Sequence, residues 1–449
     1  MLDEIFKAYD VRGIYNQNLT EQIAYKIGRA FVHFLKPKDV IVGTDMRVSS
    51  PKLSKAFMEG VAEQGANAIF IGQVCTDATY FASGFLKKPA VMFTASHNPR
   101  QWNGMKFSKE SAIPINQDTG LNKIKSIIES KSYEKAKIKK PGKIIKKDIL
   151  KTYAIHVKKF INAKKLKSLR IAVDAGNGMA GKMIPFVYKR LPIRIIPLYF
   201  RLDGSFPNHP ANPSKTENLV DIQKAVKKKK CDFGMAFDGD ADRIFFVDEK
   251  GDVVNSSLIS SLIAKNILTK NRNEKMIYNA VCGRIVLETI KKYGGKPIIE
   301  RVGHSFIKET MRKTKAIFAC EHSAHYYYRD NYRADSGIIT SLIVAEIVSK
   351  ENKPLSQLLE EFKKYSTMEE TSVEVKDKIA KMNEIEAVYK RQNPKNVVKI
   401  DGITIEFGKW WFNVRPSNTE PLLRLNLEAN SKELMEDKKE ELLKILKGY

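Results

Sequence analysis

Two periods of apolar and polar positions run along this chain, and the switches between them mark its elements. From about Thr20, the residues Ile23, Ile27, Ala30, Phe31 and Phe34 recur every three or four positions, which predicts an amphipathic helix. Val40-Ile41-Val42 is a short unbroken apolar run ending at Gly43-Thr44-Asp45, the pattern of a buried strand. Ser50-Pro51 opens a second helix, with Ser50 as cap and Pro51 in the first turn, and Leu53, Phe57 and Val61 stripe it. Ala68 to Ile71 is the next strand. Strand, helix and strand at this spacing predict βαβ units on a parallel sheet.

The same grammar returns further on. Val91-Met92-Phe93 is a strand that delivers Thr94-Ala95-Ser96-His97-Asn98-Pro99 into a loop. The lysine-rich stretch from Tyr133 to Lys147, with Pro141-Gly142, reads as a connection between domains. Arg170 to Asp174 is a strand, and Ala175 to Gly181, whose glycines resemble a phosphate-cradling loop, is read as a tight turn into a helix. Phe233–Phe237 and Ile244–Val247 are strands on either side of an acidic turn. A helix near Leu258–Leu268 and strands at Met276–Tyr278 and Ile317–Ala319 make a third unit. Leu422 to Leu427 alternates as a strand in a last one. The expected architecture is α/β in four domains: residues 1–147, 148–251 and 252–365 as related units with mixed sheets, and 366–449 as a smaller C-terminal α+β domain.

Length and composition narrow the class. At 449 residues the chain is too long for one ordinary core, and 43% hydrophobic with 29% charged residues suits a soluble globular protein. No run of 18 apolar residues predicts a membrane span. The acidic start, Met1-Leu2-Asp3-Glu4, has no secretory h-region. Cys75, Cys231, Cys282 and Cys320 are scattered without a CxxC pair, which argues for a reducing, cytoplasmic setting. The net charge of +27 comes from lysines spread over polar faces, without RNP-like aromatics or a helix-turn-helix pattern. We read it as a solvated surface that also attracts anionic substrates, not as a nucleic-acid interface.

Four polar loops carry candidate chemistry. Ser96 sits at the C-terminal end of a buried strand, where open α/β sheets place ligands, and is the candidate nucleophile. Asp238-Gly239-Asp240-Ala241-Asp242-Arg243 sets three carboxylates within five residues, which repel one another without a cation. An EF-hand loop is the rival, with Glu249 at its twelfth position, but Arg243 stands where that loop needs glycine. Oxygen ligands of this kind suit Mg²⁺, completed by a phosphate oxygen. In Cys320 to His325, Glu321, Ser323 and His325 alternate, so on an extended segment they share a face suited to sugar hydroxyls. His304, His322 and His325 lack the thiolates of a structural zinc site. Arg415-Pro416-Ser417-Asn418-Thr419-Glu420-Pro421 offers a guanidinium, hydroxyls, an amide and turn N–H groups, a phosphate nest.

Taken together and in this order, the four loops resemble those of the α-D-phosphohexomutase family, specifically its phosphomannomutase/phosphoglucomutase branch, over the whole chain. The resemblance implies a heart-shaped arrangement around a central cleft. It also implies a phosphoserine at Ser96, and Mg²⁺, one per chain, on Asp238, Asp240, Asp242 and that phosphoserine. Arg12, His97, Lys106 and Arg243 would line the transfer site, with His325 also in a catalytic role. Tyr9, His304, Glu321 and Ser323 would hold the sugar, and Arg415, Ser417, Asn418 and Thr419 the phosphate that is not reacting. The implied activity interconverts hexose 6-phosphate and hexose 1-phosphate, of mannose first and glucose in addition. Glucose or mannose 1,6-bisphosphate serves as activator and intermediate. A monomer or homodimer acting on hexose phosphates, away from membranes, follows.

The chain departs from the family in places. Cys320 and His322 stand where the sugar loop usually has Gly and Met, and Val281 where a lysine is frequent, with Arg284 expected to compensate. Ala324, and the match from Glu321 through Asp335-Ser336-Gly337, lean toward phosphomannomutase. A phosphoglucosamine mutase is the alternative within the family, and a basic nucleic-acid-binding protein the alternative outside it.

Overall fold

The computed structural model describes residues 2–135, 138, 140–417 and 422–447. Four sheets follow one another along the chain. In the first, Asp39–Thr44, Asn67–Gln73, Ala90–Phe93 and Ile144–Lys146 are parallel, while Trp102–Lys109 returns antiparallel to Ala90–Phe93 and carries Val11–Ile14 on its far edge. The strand at 144–146 means that the lysine-rich stretch is not only a connection: its end closes the first sheet, and Ala136, Lys137 and Lys139 lie outside the described residues. In the second sheet Ile193–Leu198, Leu169–Asp174 and Phe233–Phe237 are parallel and Ile244–Val247 returns antiparallel. In the third, Lys296–Glu300, Lys275–Asn279 and Phe318–Cys320 are parallel and Tyr326–Tyr328 returns. The fourth sheet is wholly antiparallel, with helices Lys378–Lys390 and Lys432–Lys447 beside it.

This plan explains where the polar loops fall. In each of the first three sheets the chain runs up a buried parallel strand, turns, and comes back antiparallel. Residues 94–101, 238–243 and 321–325 are those three turns. They occupy one position in three copies of a single topology, at the C-terminal ends of the strands.

The first unit has a phenylalanine-rich core in which fully buried Phe57 packs on Phe31 and, edge to face, on Phe93. Burying such a ring contributes about 2 kcal/mol. A second, larger apolar cluster runs without a break from the first unit through the second and third. The helix Gly337–Glu351 is buried on all sides within it, which is why its apolar residues show no single stripe. The fourth unit has its own core around Tyr389, Trp410, Phe412 and Leu425.

Two local readings need correction. Ser50 is not the helix cap: the helix Ser50–Glu63 follows Ser49, and the Ser50 hydroxyl donates to Asp45 Oδ1 at 2.7 Å. Residues 321–324 are not extended but form a turn, closed by Glu321 N–H to the His325 carbonyl at 3.0 Å, with Ala324 at φ 62°.

Candidate active site

Ser96 is 1% exposed and takes a left-handed backbone, φ 50°, unusual for a residue with a Cβ. Such a conformation costs on the order of 1–3 kcal/mol and persists only where its surroundings enforce it. Here the Ser96 N–H donates to Thr94 Oγ1 at 2.9 Å, and its hydroxyl donates to Asp238 Oδ2 at 2.6 Å. His97 Nδ1 stands 3.3 Å from the same hydroxyl. The first and second units therefore meet at the proposed nucleophile. Gly239 is required at that meeting, since a Cβ there would lie 2.6 Å from the Ser96 carbonyl oxygen.

The turn 238–243 is buried among groups of opposite charge. Asp238, Asp240 and Asp242 are each at most 1% exposed. Lys106 Nζ bridges Asp240 Oδ2 at 2.8 Å and Asp242 Oδ2 at 2.6 Å, and Arg243 Nε stands 3.8 Å from Asp238 Oδ2. Thr76, at the start of a helix in the first unit, donates its hydroxyl to Asp240 Oδ2 at 2.5 Å. Burial, with Asp242 and Asp240 beside it, pushes the Asp238 carboxyl well above the usual range. Burial acts on Asp242 in the same sense, but Lys106 and His325 hold that carboxyl well below it.

Whether these residues suit a cation is settled by the oxygens left over. Asp240 Oδ1 and Asp242 Oδ1 are buried without a hydrogen-bond partner, and one oxygen from each of the three aspartates lies within 4.8 Å of the others. Unpaired buried carboxylate oxygens are costly. Three converging carboxylates, two of them with an oxygen that accepts no hydrogen bond, suit a hard divalent cation.

The third unit closes on this turn. His325 pairs with Arg243 as an isolated antiparallel bridge, and Ile244 N–H donates to the Ala324 carbonyl at 3.2 Å. His325 Nε2 lies 3.4 Å from Asp242 Oδ1 and 3.3 Å from Arg243 Nε, while its Nδ1 is 2.9 Å from Ser323 Oγ and 3.6 Å from Glu321 Oε1. The alternation argument thus brought Glu321, Ser323 and His325 together for the wrong reason: the turn, not a shared strand face, gathers them. Glu321 is fixed by Asn279 Nδ2 and Gly303 N–H, each 3.2 Å from Oε2, and by the Tyr327 hydroxyl on Oε1.

The remaining candidates divide. Arg12 is held on Asp10 at 2.8 Å and donates to the Asn98 side chain at 2.6 Å, beside the Ser96 loop. Tyr9 and His304 meet edge to face at 5.2 Å, joining the first and third units, and both His304 ring nitrogens are buried without a partner. Burial pushes the His97 and His304 imidazoles well below their usual range, so both stay neutral near pH 7. Arg415 and Ser417 lie in the fourth unit, and Asn418 and Thr419 fall outside the described residues. Arg284 is not a substitute for a lysine at Val281. Its guanidinium donates to the Gly408 and Trp410 carbonyls, and its N–H to Glu428, at the joint between third and fourth units. The three histidines form no metal-binding cluster together among the described residues; only His325 joins one, with Asp242 and Asp335.

Sequence reasoning missed several residues that shape the site: Arg47, Thr76, Asn279 and Glu370. Arg47 follows a strand end just as Ser96 does, so the same strand-end argument would have found it. Glu370 accepts from Arg415 Nη2 at 2.9 Å, Arg424 Nη1 at 3.0 Å and Asn426 Nδ2 at 3.0 Å. Burial opposes its charge, but Arg415 and the groups around it lower its pKa from 4.5 to about 2. A lowered carboxyl stabilises the fold fully above its unfolded value and loses that contribution as pH falls toward 2. Between pH 5 and pH 3 the wild type should therefore lose about 2 kcal/mol more stability than Glu370→Gln, measured by urea unfolding at both pH values. Equal losses would show that the pair with Arg415 is weak.

Comparison with known proteins places these features in a family. The family models described as "Phosphoglucomutase/phosphomannomutase, alpha/beta/alpha domain" I, II and III match residues 3–135, 151–251 and 255–365, and the C-terminal domain matches 370–445. A phosphomannomutase of Vibrio cholerae is 40% identical, covering 98% of each chain. A phosphomannomutase of Methanocaldococcus jannaschii is 38% identical, covering 98% of this chain and 97% of its own. The crystal structure of a phosphoglucomutase/phosphomannomutase family protein from Burkholderia thailandensis superposes with a TM-score of 0.91 at 29% identity, over 99% of this chain and 97% of that one. With every unit matched in order and relatives aligned end to end, the chain belongs to the phosphoglucomutase/phosphomannomutase family.

Proposed function

We propose that this protein is a phosphohexomutase that interconverts hexose 6-phosphates and hexose 1-phosphates, with mannose as the principal sugar and glucose accepted as well. The observation that carries the reading is the 2.6 Å contact between Ser96 Oγ and Asp238 Oδ2, beside a lysine shared by Asp240 and Asp242. In the working form Ser96 carries a phosphoryl group. A sugar hydroxyl attacks that phosphorus, the Ser96 oxygen leaves, and a hexose 1,6-bisphosphate results. The bisphosphate then turns over and returns its other phosphoryl group to Ser96. His325, between Asp242 and Ser323, is placed to take the proton of the attacking hydroxyl.

Arg12, Lys106 and Arg243 supply positive charge around the transferring group, where alignment and neutralisation are most of the catalysis. One Mg²⁺ per chain, held by Asp238, Asp240, Asp242 and a phosphoserine oxygen, supplies further neutralisation when bound. Glu321 and Ser323, with Tyr9 and His304, orient the sugar. Arg415, Ser417, Asn418 and Thr419 hold the distal phosphate. The fourth unit keeps its own core, which suits a part that loosens while the bisphosphate reorients. The domain limits 1–147, 148–251, 252–365 and 366–449 belong to this reading, as does a monomer or homodimer in the cytoplasm. Among the described residues no helix is long and apolar enough to cross a membrane.

A coupled assay with mannose 1-phosphate, glucose 1-phosphate and glucosamine 1-phosphate tests it, on protein loaded with phosphate at Ser96 and supplied with Mg²⁺. Turnover should be fastest with mannose 1-phosphate. Activity confined to the glucosamine sugar would replace the reading with phosphoglucosamine mutase, and no turnover on any sugar would refute it.

A further inference from the structure

The Ser96 loop is held from behind by an arginine that none of the four motifs contains. Arg47 lies between the strand Asp39–Thr44 and the helix Ser50–Glu63, and is 1% exposed. Its Nη1 donates to the carbonyls of Pro99 and Trp102, both at 2.9 Å. Its Nη2 donates to the carbonyls of Ser96 at 2.8 Å and Asn98 at 2.7 Å. Nε stands 3.2 Å from Asp45 Oδ2, and the guanidinium lies 5.3 Å from the ring centre of Phe206 in the second unit. A buried arginine normally answers a carboxylate or a phosphate. This one directs four of its five N–H groups at the backbone of a single seven-residue loop.

We propose that Arg47 is a positioning residue for phosphoryl transfer, fixing Ser96 by gripping residues 96–102 through four carbonyls at once. The inference rests on the reading of Ser96 as the phosphorylated residue. The Ser96 carbonyl is pinned by Arg47 on one side and packs against Gly239 on the other, while its hydroxyl reaches Asp238. The loop is also held in a left-handed turn at Ser96 that the serine would not choose alone. Loosening the grip moves the hydroxyl relative to the aspartates without touching the residues proposed to hold the sugar and distal phosphate. Lysine cannot replace arginine here, because its three donors radiate from one atom and cannot span two edges of a planar fork.

The test uses the full chain with Mg²⁺ and its preferred hexose 1-phosphate, comparing wild type, Arg47→Lys and Arg47→Met. Four quantities are read: kcat, KM, the fraction of Ser96 phosphorylated after incubation with hexose 1,6-bisphosphate, and the melting temperature. In Arg47→Lys, kcat should fall by about 100-fold, the cost of a misplaced reacting group, with KM held within about threefold. The phosphorylated fraction should fall as well, and Arg47→Met should be worse. Unchanged kcat with full phosphorylation would overturn the proposal, as would a KM that rises while kcat stays the same. If Arg47→Lys does not fold, Asp45→Asn decides, since it keeps the guanidinium but removes the negative charge beside its Nε. A drop of about tenfold in kcat at constant KM supports the proposal, and an unchanged kcat overturns it. A wild type inactive on every hexose phosphate would instead overturn the mutase reading, which separates the two failures.

Discussion

Ser96→Ala should abolish turnover: with Ser96 as the proposed nucleophile, kcat should fall by about four orders of magnitude or more. Intact mass measurement should show no phosphate retained after incubation with hexose 1,6-bisphosphate. The fold survives, because alanine keeps the Cβ and the left-handed strain is unchanged. The lost hydroxyl removes one donor from Asp238, whose carboxyl already resists ionisation. Ser96→Gly is a useful companion. Glycine adopts φ 50° freely, so Ser96→Gly should be more stable than Ser96→Ala by about 1 kcal/mol while equally inactive. Retained phosphorylation or residual turnover above a hundredth of wild type would remove Ser96 from the mechanism.

Asp242→Asn has the second largest effect. It leaves the turn intact but removes one of two carboxylates that Lys106 bridges, together with an oxygen that accepts no hydrogen bond. The charge available to a divalent cation drops, and His325 loses the anion 3.4 Å from its Nε2. We expect kcat to fall by about 10³-fold, comparable to removing a main electrostatic group from a transfer site. A second readout does not depend on turnover. A cation that binds only the folded protein raises its stability by RT ln(1 + [L]/Kd). Titrating Mg²⁺ should therefore raise the wild-type melting temperature, and the rise should largely vanish in Asp242→Asn. A Mg²⁺ response equal in both proteins would move the cation away from this turn.

What could be read from the residue string, and what could not, follows from range. The Ser96 loop and the 238–243 turn stood out because a buried strand followed by small, polar and acidic residues is a local pattern. The fold class was legible for the same reason, since strand, helix and strand repeat at short distance. Contacts between units were not. Nothing near Thr76 announces that its hydroxyl reaches Asp240, and nothing near Arg284 says that it faces the fourth unit and not the transfer site. Glu370 sits between two arginines that become neighbours only when their strands pair, Arg415 opposite Arg424. The gathering of Glu321, Ser323 and His325 was anticipated on an extended segment, whereas a left-handed Ala324 and the hairpin bonds around it make the turn that does the work.

The equivalence of the three turns, each capping the last parallel strand of its sheet, reaches beyond their placement. A reaction centre assembled this way is built by repetition: one bend, copied three times, brings three different short segments to a common meeting place. Each copy can exchange its side chains for another task while its scaffold stays still, so the three roles proposed for these turns are free to diverge independently on a shared frame.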